Sequence, residues 1–178
     1  FHHILMDGWC LGILNNEFYQ LIELLEQNET ITLKDPTPYS KYIDWLSKTD
    51  KATSINYWKN YLEGFETKTS IPGISSSSKK DQYVEAKVET LLEKDVFQSL
   101  STFCKEQGVT QNNFIQAVWG YLLSRYNFSN DVAFGAIVSG RPGELENVED
   151  LIGLFINTIP VRIQIDPNAS VLDFINSV

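Results

Sequence analysis

The stretch His2-His3-Ile4-Leu5-Met6-Asp7-Gly8 sets the terms for the rest of the chain. It holds the only two histidines, side by side, with His3 and Asp7 in an H-x-x-x-D spacing. Phe1–Leu5 is apolar enough to read as the end of a strand, and Asp7-Gly8 as the bend after it. On a strand, His2 and His3 point to opposite faces, so they do not share one metal ion. One can face a site while the other packs or hydrogen-bonds elsewhere. An imidazole titrates near neutral pH, which suits a group that must take up or release a proton.

Outward from this stretch, the 178 residues carry 14 basic and 23 acidic side chains, a net charge of −9. Hydrophobic residues make up 43% and aromatics 12%, a globular composition that excludes disorder over the whole length. The acidic balance argues against nucleic acid, which needs clustered Lys and Arg. No apolar run approaches the roughly 20 residues of a membrane span. No charged and apolar leader opens the chain, so a cytoplasmic location is expected and the Asn-x-Ser/Thr sequences at Asn28, Asn127 and Asn168 read as chance. Cys10 and Cys104 show no metal-type spacing and read as reduced packing residues.

Apolar residues at Leu11, Leu14, Phe18, Leu21, Ile22 and Leu25 predict an amphipathic helix from Trp9 to about Gln27. Asp35-Pro36-Thr37-Pro38 breaks the chain, and helices are expected over residues 39–47 and 51–62, the second ended by Gly64. Residues 71–80, IPGISSSSKK, form the only linker-like segment. Val84, Ala86 and Val88 alternate with charged residues as in a half-buried strand. Helices follow over residues 93–106, with Gly108 as C-cap, and from Thr110, as N-cap, to Tyr126. Residues 132–138, VAFGAIV, read as a strand covered on both faces. Residues 158–166 alternate strictly, and Pro160, which cannot donate to a ladder, implies an edge or a local irregularity there. A last helix starts near Ser170. The four tryptophans read as core. The pattern is mixed α/β without a repeat.

No phosphate-binding glycine loop, nucleophile elbow or HExxH motif is present. Three ordered blocks carry a resemblance instead. His2 to Gly8 is HHxxxDG and is similar to the active-site motif of the condensation domains of nonribosomal peptide synthetases. Asp131 to Pro142 (DVAFGAIVSGRP) and Ile152 to Arg162 (IGLFINTIPVR) resemble two later blocks of that family. Tyr57-Trp58 also fits. The likeness covers essentially the whole chain. The shorter His3-x-x-x-Asp7 core is shared with chloramphenicol acetyltransferase and its superfamily. Cyclization domains carry a two-aspartate motif instead, and epimerization domains differ in the late blocks. HHILMDGW looks most like members that accept an L-configured donor.

The resemblance implies a chloramphenicol acetyltransferase-like two-lobed α/β fold, mixed sheets flanked by helices, present here as an internal fragment. Residues 1–70 would be the C-terminal part of the first lobe, 71–81 a linker or surface loop, and 82–178 the N-terminal part of the second lobe. It implies an enzyme of antibiotic and secondary-metabolite biosynthesis, which forms an amide between an upstream carrier-bound acyl or peptidyl thioester and the amine of a downstream carrier-bound amino acid. As a fragment, the chain is expected to be inactive by itself and to expose apolar surface. No cofactor binds directly, because substrates ride on the 4'-phosphopantetheine arms of carrier proteins. The implied partners are donor and acceptor carrier domains and an adjacent adenylation domain, with no nucleic acid and no membrane.

His3 is the implied catalytic residue. His2, Asp7 and Gly8 support it: Asp7 by pairing with an arginine, expected to lie upstream of residue 1, and Gly8 by allowing tight backbone. Asn157 and Ser139 are candidates to line the substrate tunnel, and Arg141 is read as an ion-pair anchor. Two other readings share part of this pattern. One is a free-standing acyltransferase using acyl-coenzyme A. The other is a non-catalytic condensation-like module that binds carriers.

Overall fold

The computed structural model describes residues 2–33, 35–66, 68–72 and 86–178. Helix α1 spans Gly8–Glu26, α2 Ser40–Lys48, α3 Lys51–Tyr61, α4 Lys94–Gln107, α5 Gln111–Asn127 and α6 Val171–Asn176. Two strands, β1 (Asp131–Val138) and β2 (Asn157–Gln164), pair with each other, and a short 3-10 turn covers Val148–Asp150. Ile165 N–H donates to Asn130 C=O at one end of the strand pair, and Gly140 closes on Phe155 at the other. The two strands therefore run antiparallel.

By compactness the chain forms two units: residues 1–61 with 136–159, and 62–135 with 160–178. This grouping differs from a cut between residues 70 and 82, because the segment after β1 returns to the first unit. In that unit Val148, Leu151 and Phe155 are buried against Tyr39, Tyr42 and Leu145. In the second, Leu123, Val132 and Ile163 are buried, with Phe134, Val161, Ile165, Phe174 and Val178 around them. There α4 packs on α5 and α5 on α6. Gly120 of α5 is where Ile163 comes close, since a Cβ at that position would lie 2.5 Å from Ile163 Cγ1.

Caps set three of the helix boundaries. The Thr110 hydroxyl accepts from Asn113 N–H at 3.0 Å and starts α5. Ser170 does the same for α6 through Asp173 N–H at 3.1 Å. Gly108, at φ 68°, ends α4 in the left-handed conformation that lacks a Cβ penalty.

Several expectations need correction. Residues 3–5 form a turn, not the end of a strand, closed by Leu5 N–H donating to His2 C=O at 3.0 Å. The opposite-faces argument for His2 and His3 falls with the strand. Ala86–Glu89 are also not strand, and Val88 is 93% exposed. A strand needs a neighbour's ladder, and the described sheet contains only β1 and β2. Val84, Glu85 and the linker from residue 73 lie outside the described residues. β1 is not covered on both faces: Val132 is buried, but Ile137 is 73% exposed. The tryptophans are not core. Trp45 and Trp58 are half-buried, and Trp9 and Trp119 are exposed. Helix α1 forms as its periodicity predicts, yet Leu11, Phe18 and Leu25 on its apolar stripe are exposed and only Cys10 is buried.

Candidate active site

Asp7 occupies the N-cap position of α1 with extended backbone, but its carboxylate makes no capping hydrogen bond. It turns inward and is 2% exposed. Oδ2 accepts from Phe155 N–H at 3.0 Å, and Oδ1 accepts from the Cys10 thiol at 3.4 Å. Arg141 Nη2 lies 3.6 Å from Oδ1, with its side chain 5% exposed. Burial pushes the Asp7 carboxyl up, but the Phe155 amide, the Cys10 thiol, the Arg141 charge and the Cys10 amide together hold it below its ordinary range. The positive end of α1 acts in the same direction.

Arg141 is equally constrained. Nη1 donates to the carbonyls of Val148 and Leu151, the second at 3.0 Å, and so closes the 3-10 turn. The guanidinium carbon sits 4.0 Å from the centre of the Phe155 ring and 5.5 Å from that of Trp9. Trp9 Nε1 donates in turn to Glu149 C=O at 3.0 Å. A buried ion pair recovers its desolvation cost only when further hydrogen bonds satisfy both ions. This pair has them, except at Arg141 Nε, which has no partner among the described residues.

Among the described residues, the arginine that faces Asp7 is Arg141, from the SGRP block. Sequence reasoning missed this because the two residues meet only through tertiary structure.

Gly140 explains how Arg141 arrives there. Its φ is 62°, and an added Cβ would fall inside the contact distance of the Phe155 carbonyl oxygen. Only glycine fits that backbone and that approach.

His2, His3, Gly8, Ser139 and Asn157 all belong to the same unit as Asp7 and Arg141. They are exposed, whereas the Asp7–Arg141 pair is buried. His2 Nδ1 accepts from Ile4 N–H at 3.1 Å, so His2 helps close the turn that presents His3. A Cβ at Gly8 would meet no atom of the described residues within 4 Å, so packing among them does not require glycine there. Asn157 Oδ1 accepts from Thr158 N–H at 2.8 Å, leaving its side-chain NH2 as a donor at the start of β2. Its Cβ is 3.7 Å from the position a Cβ would take at Gly140.

Cys10, Tyr39 and Gly153 were not singled out for this site by sequence. The only signal was Cys10 at the i+3 position from Asp7, on the same helical face. Among the described residues no group of three His, Cys, Asp or Glu side chains is placed to hold a metal, and no helix is long and apolar enough to cross a membrane.

Known proteins agree with the block pattern. The family model of the condensation domain matches residues 1–178. Bacitracin synthase 3 of Bacillus licheniformis is 40% identical over 171 residues, covering 93% of this chain and 3% of that protein. Gramicidin S synthase 2 of Brevibacillus brevis is 36% identical over 178 residues, 100% of this chain and 4% of that protein. The chain thus spans a small part of the relatives it matches. Among solved structures, the first condensation domain of the CDA synthetase superposes with a TM-score of 0.74 at 17% identity, over 98% of this chain and 39% of that one. An epimerization domain of tyrocidine synthetase gives a TM-score of 0.73 at 20% identity over 99% of this chain and 41% of that one, so fold alone does not separate the subfamilies. The chain belongs to the condensation-domain family.

Proposed function

We infer that this chain is part of a peptide-bond-forming condensation domain of a nonribosomal peptide synthetase. The observation that supports this most is the buried Asp7–Arg141 pair, which fixes the turn before α1 against Phe155 and leaves His3 exposed. This geometry lies in a chain matched along its whole length by the family. Residues 1–70 are assigned to the end of the first lobe and 82–178 to the start of the second.

The substrates are two thioesters, each on the phosphopantetheine arm of a carrier domain. The acceptor amine attacks the donor's carbonyl carbon. A C–N bond forms, the C–S bond breaks, the donor arm leaves as a thiol, and the amine nitrogen sheds a proton. Because a thioester is already activated, the protein's work is alignment, proton handling and stabilisation of the tetrahedral oxyanion. His3 is the group at the reacting centre, as hydrogen-bond partner or proton acceptor for the amine. Asp7 and Arg141 position it through the turn and touch no substrate. The Asn157 amide and the Ser139 hydroxyl are candidate donors to substrate carbonyls. The partners are the flanking carriers and an adenylation domain, in the cytoplasm.

The test is donor competition in the full-length synthetase. With a loaded acceptor carrier, product should form from an acyl-carrier donor and not from the same acyl group on coenzyme A. The reverse preference would identify a free-standing type of acyltransferase. Carrier binding without product from either donor would identify a non-catalytic module.

A further inference from the structure

Three consecutive residues of the IGLFIN block are each gripped by a side chain from elsewhere in the same unit. At Gly153, the Cys10 thiol lies 3.3 Å from the carbonyl oxygen and accepts from the N–H at 3.4 Å. At Leu154, the carbonyl accepts from the Tyr39 hydroxyl at 2.5 Å. At Phe155, the N–H is held by Asp7. The grips are close-fitting. Cys10 is fully buried, and a Cβ at Gly153 would overlap the Tyr39 ring. That ring also meets Phe155 edge-on at 5.3 Å.

Cys10 does more than hold Gly153. Its sulfur is 3.4 Å from Asp7 Oδ1 and 3.6 Å from Arg141 Nη2. The carboxylate and the guanidinium are themselves 3.6 Å apart, longer than a close ionic hydrogen bond. The thiol fills the angle between them, next to an arginine whose Nε has no partner among the described residues. A thiol has one proton to give and is a weak acceptor, so it can serve this shared position only in part.

We propose that Cys10 and Tyr39 are positioning residues for condensation, clamping Gly153–Phe155 so that Asn157 is held in register with the turn bearing His3. The proposal rests on the reading of the chain as a condensation domain. Neither residue touches substrate. The clamp acts by fixing where the FINT block begins relative to the HHxxxDG turn, both carried by one compact unit.

The test uses the full-length synthetase with both carriers loaded, and Tyr39→Phe, Cys10→Ala, Cys10→Ser and His3→Ala variants. Tyr39→Phe removes one hydroxyl and Cys10→Ala one thiol. Each should lower kcat about tenfold or more, with KM for the acceptor carrier unchanged, because misplacement of reacting groups acts on the chemical step. Cys10→Ser should recover most of what Cys10→Ala loses, since a hydroxyl keeps a donor and an acceptor. Activity within twofold of wild type in both Tyr39→Phe and Cys10→Ala overturns the clamp. So does a loss of rate that only tracks a loss of folded protein on thermal melting. His3→Ala separates the two claims. If it abolishes product while the clamp variants do not, the clamp alone is wrong. If it leaves product formation intact, the role of His3 is wrong, and if the wild type forms no product, the functional reading itself is wrong.

Discussion

Replacing Asp7 by asparagine tests the buried pair at the base of the site. Asparagine keeps the shape and an acceptor for Phe155 N–H, so the 3.0 Å hydrogen bond can survive in weaker form. What is lost is the charge facing Arg141, 3.6 Å away and nearly as buried. Removing one member of a buried pair costs about 3–5 kcal/mol, mostly from stranding the other charge. Here the stranded guanidinium keeps the carbonyls of Val148 and Leu151 and the face of the Phe155 ring. The expected cost therefore sits at the lower end, about 3 kcal/mol, a large share of a typical domain's stability. Urea unfolding of the intact condensation domain measures it. Arg141→Gln and the double variant complete a cycle, in which a coupling above about 1 kcal/mol is expected. A loss below about 1 kcal/mol for Asp7→Asn, with additive double-variant behaviour, would refute the claim that the pair anchors the turn.

Three other outcomes follow from the same geometry. Asp7 and Asp131 are both held below the ordinary 3.8. For Asp7 burial is outweighed by its hydrogen bonds and Arg141, and for Asp131 the Arg162 hydrogen bond leads. Each contributes stability that is complete above 3.8 and is lost as pH falls through the lower native value, so melting temperature should drop on acidification below about pH 4, less steeply in Asp7→Asn. Gly140→Ala, at φ 62° and against the Phe155 carbonyl, should cost about 1–2 kcal/mol for the left-handed backbone alone, more with the clash, read by denaturant titration. Thr110→Ala removes the cap of α5 and should cost about 1 kcal/mol, while Thr110→Ser should cost less, measured the same way.

Features set by neighbouring residues were legible in the chain. Thr110, Gly108 and Ser170 mark helix ends because a cap acts over three or four positions. The α1 periodicity likewise forms its helix whether or not its stripe is covered. Features set by distant partners were not legible. Apolar content at Phe1–Leu5 and alternation at Val84–Val88 suited strands, but strands exist through ladders, and residues 3–5 instead close a local turn. The blocks themselves pointed to His3 and Asp7, yet they carry no mark of what Asp7 touches. Its amide partner Phe155 is 148 positions away, and Cys10, the link to Gly153, looked like an ordinary packing cysteine.

The most direct test of the account is single-turnover amide formation between loaded donor and acceptor carriers by the full-length synthetase, wild type against His3→Ala. The account predicts product from the wild type and a loss of about a hundredfold or more in the variant, with folding and carrier binding retained. Undiminished product from a folded His3→Ala protein would contradict it.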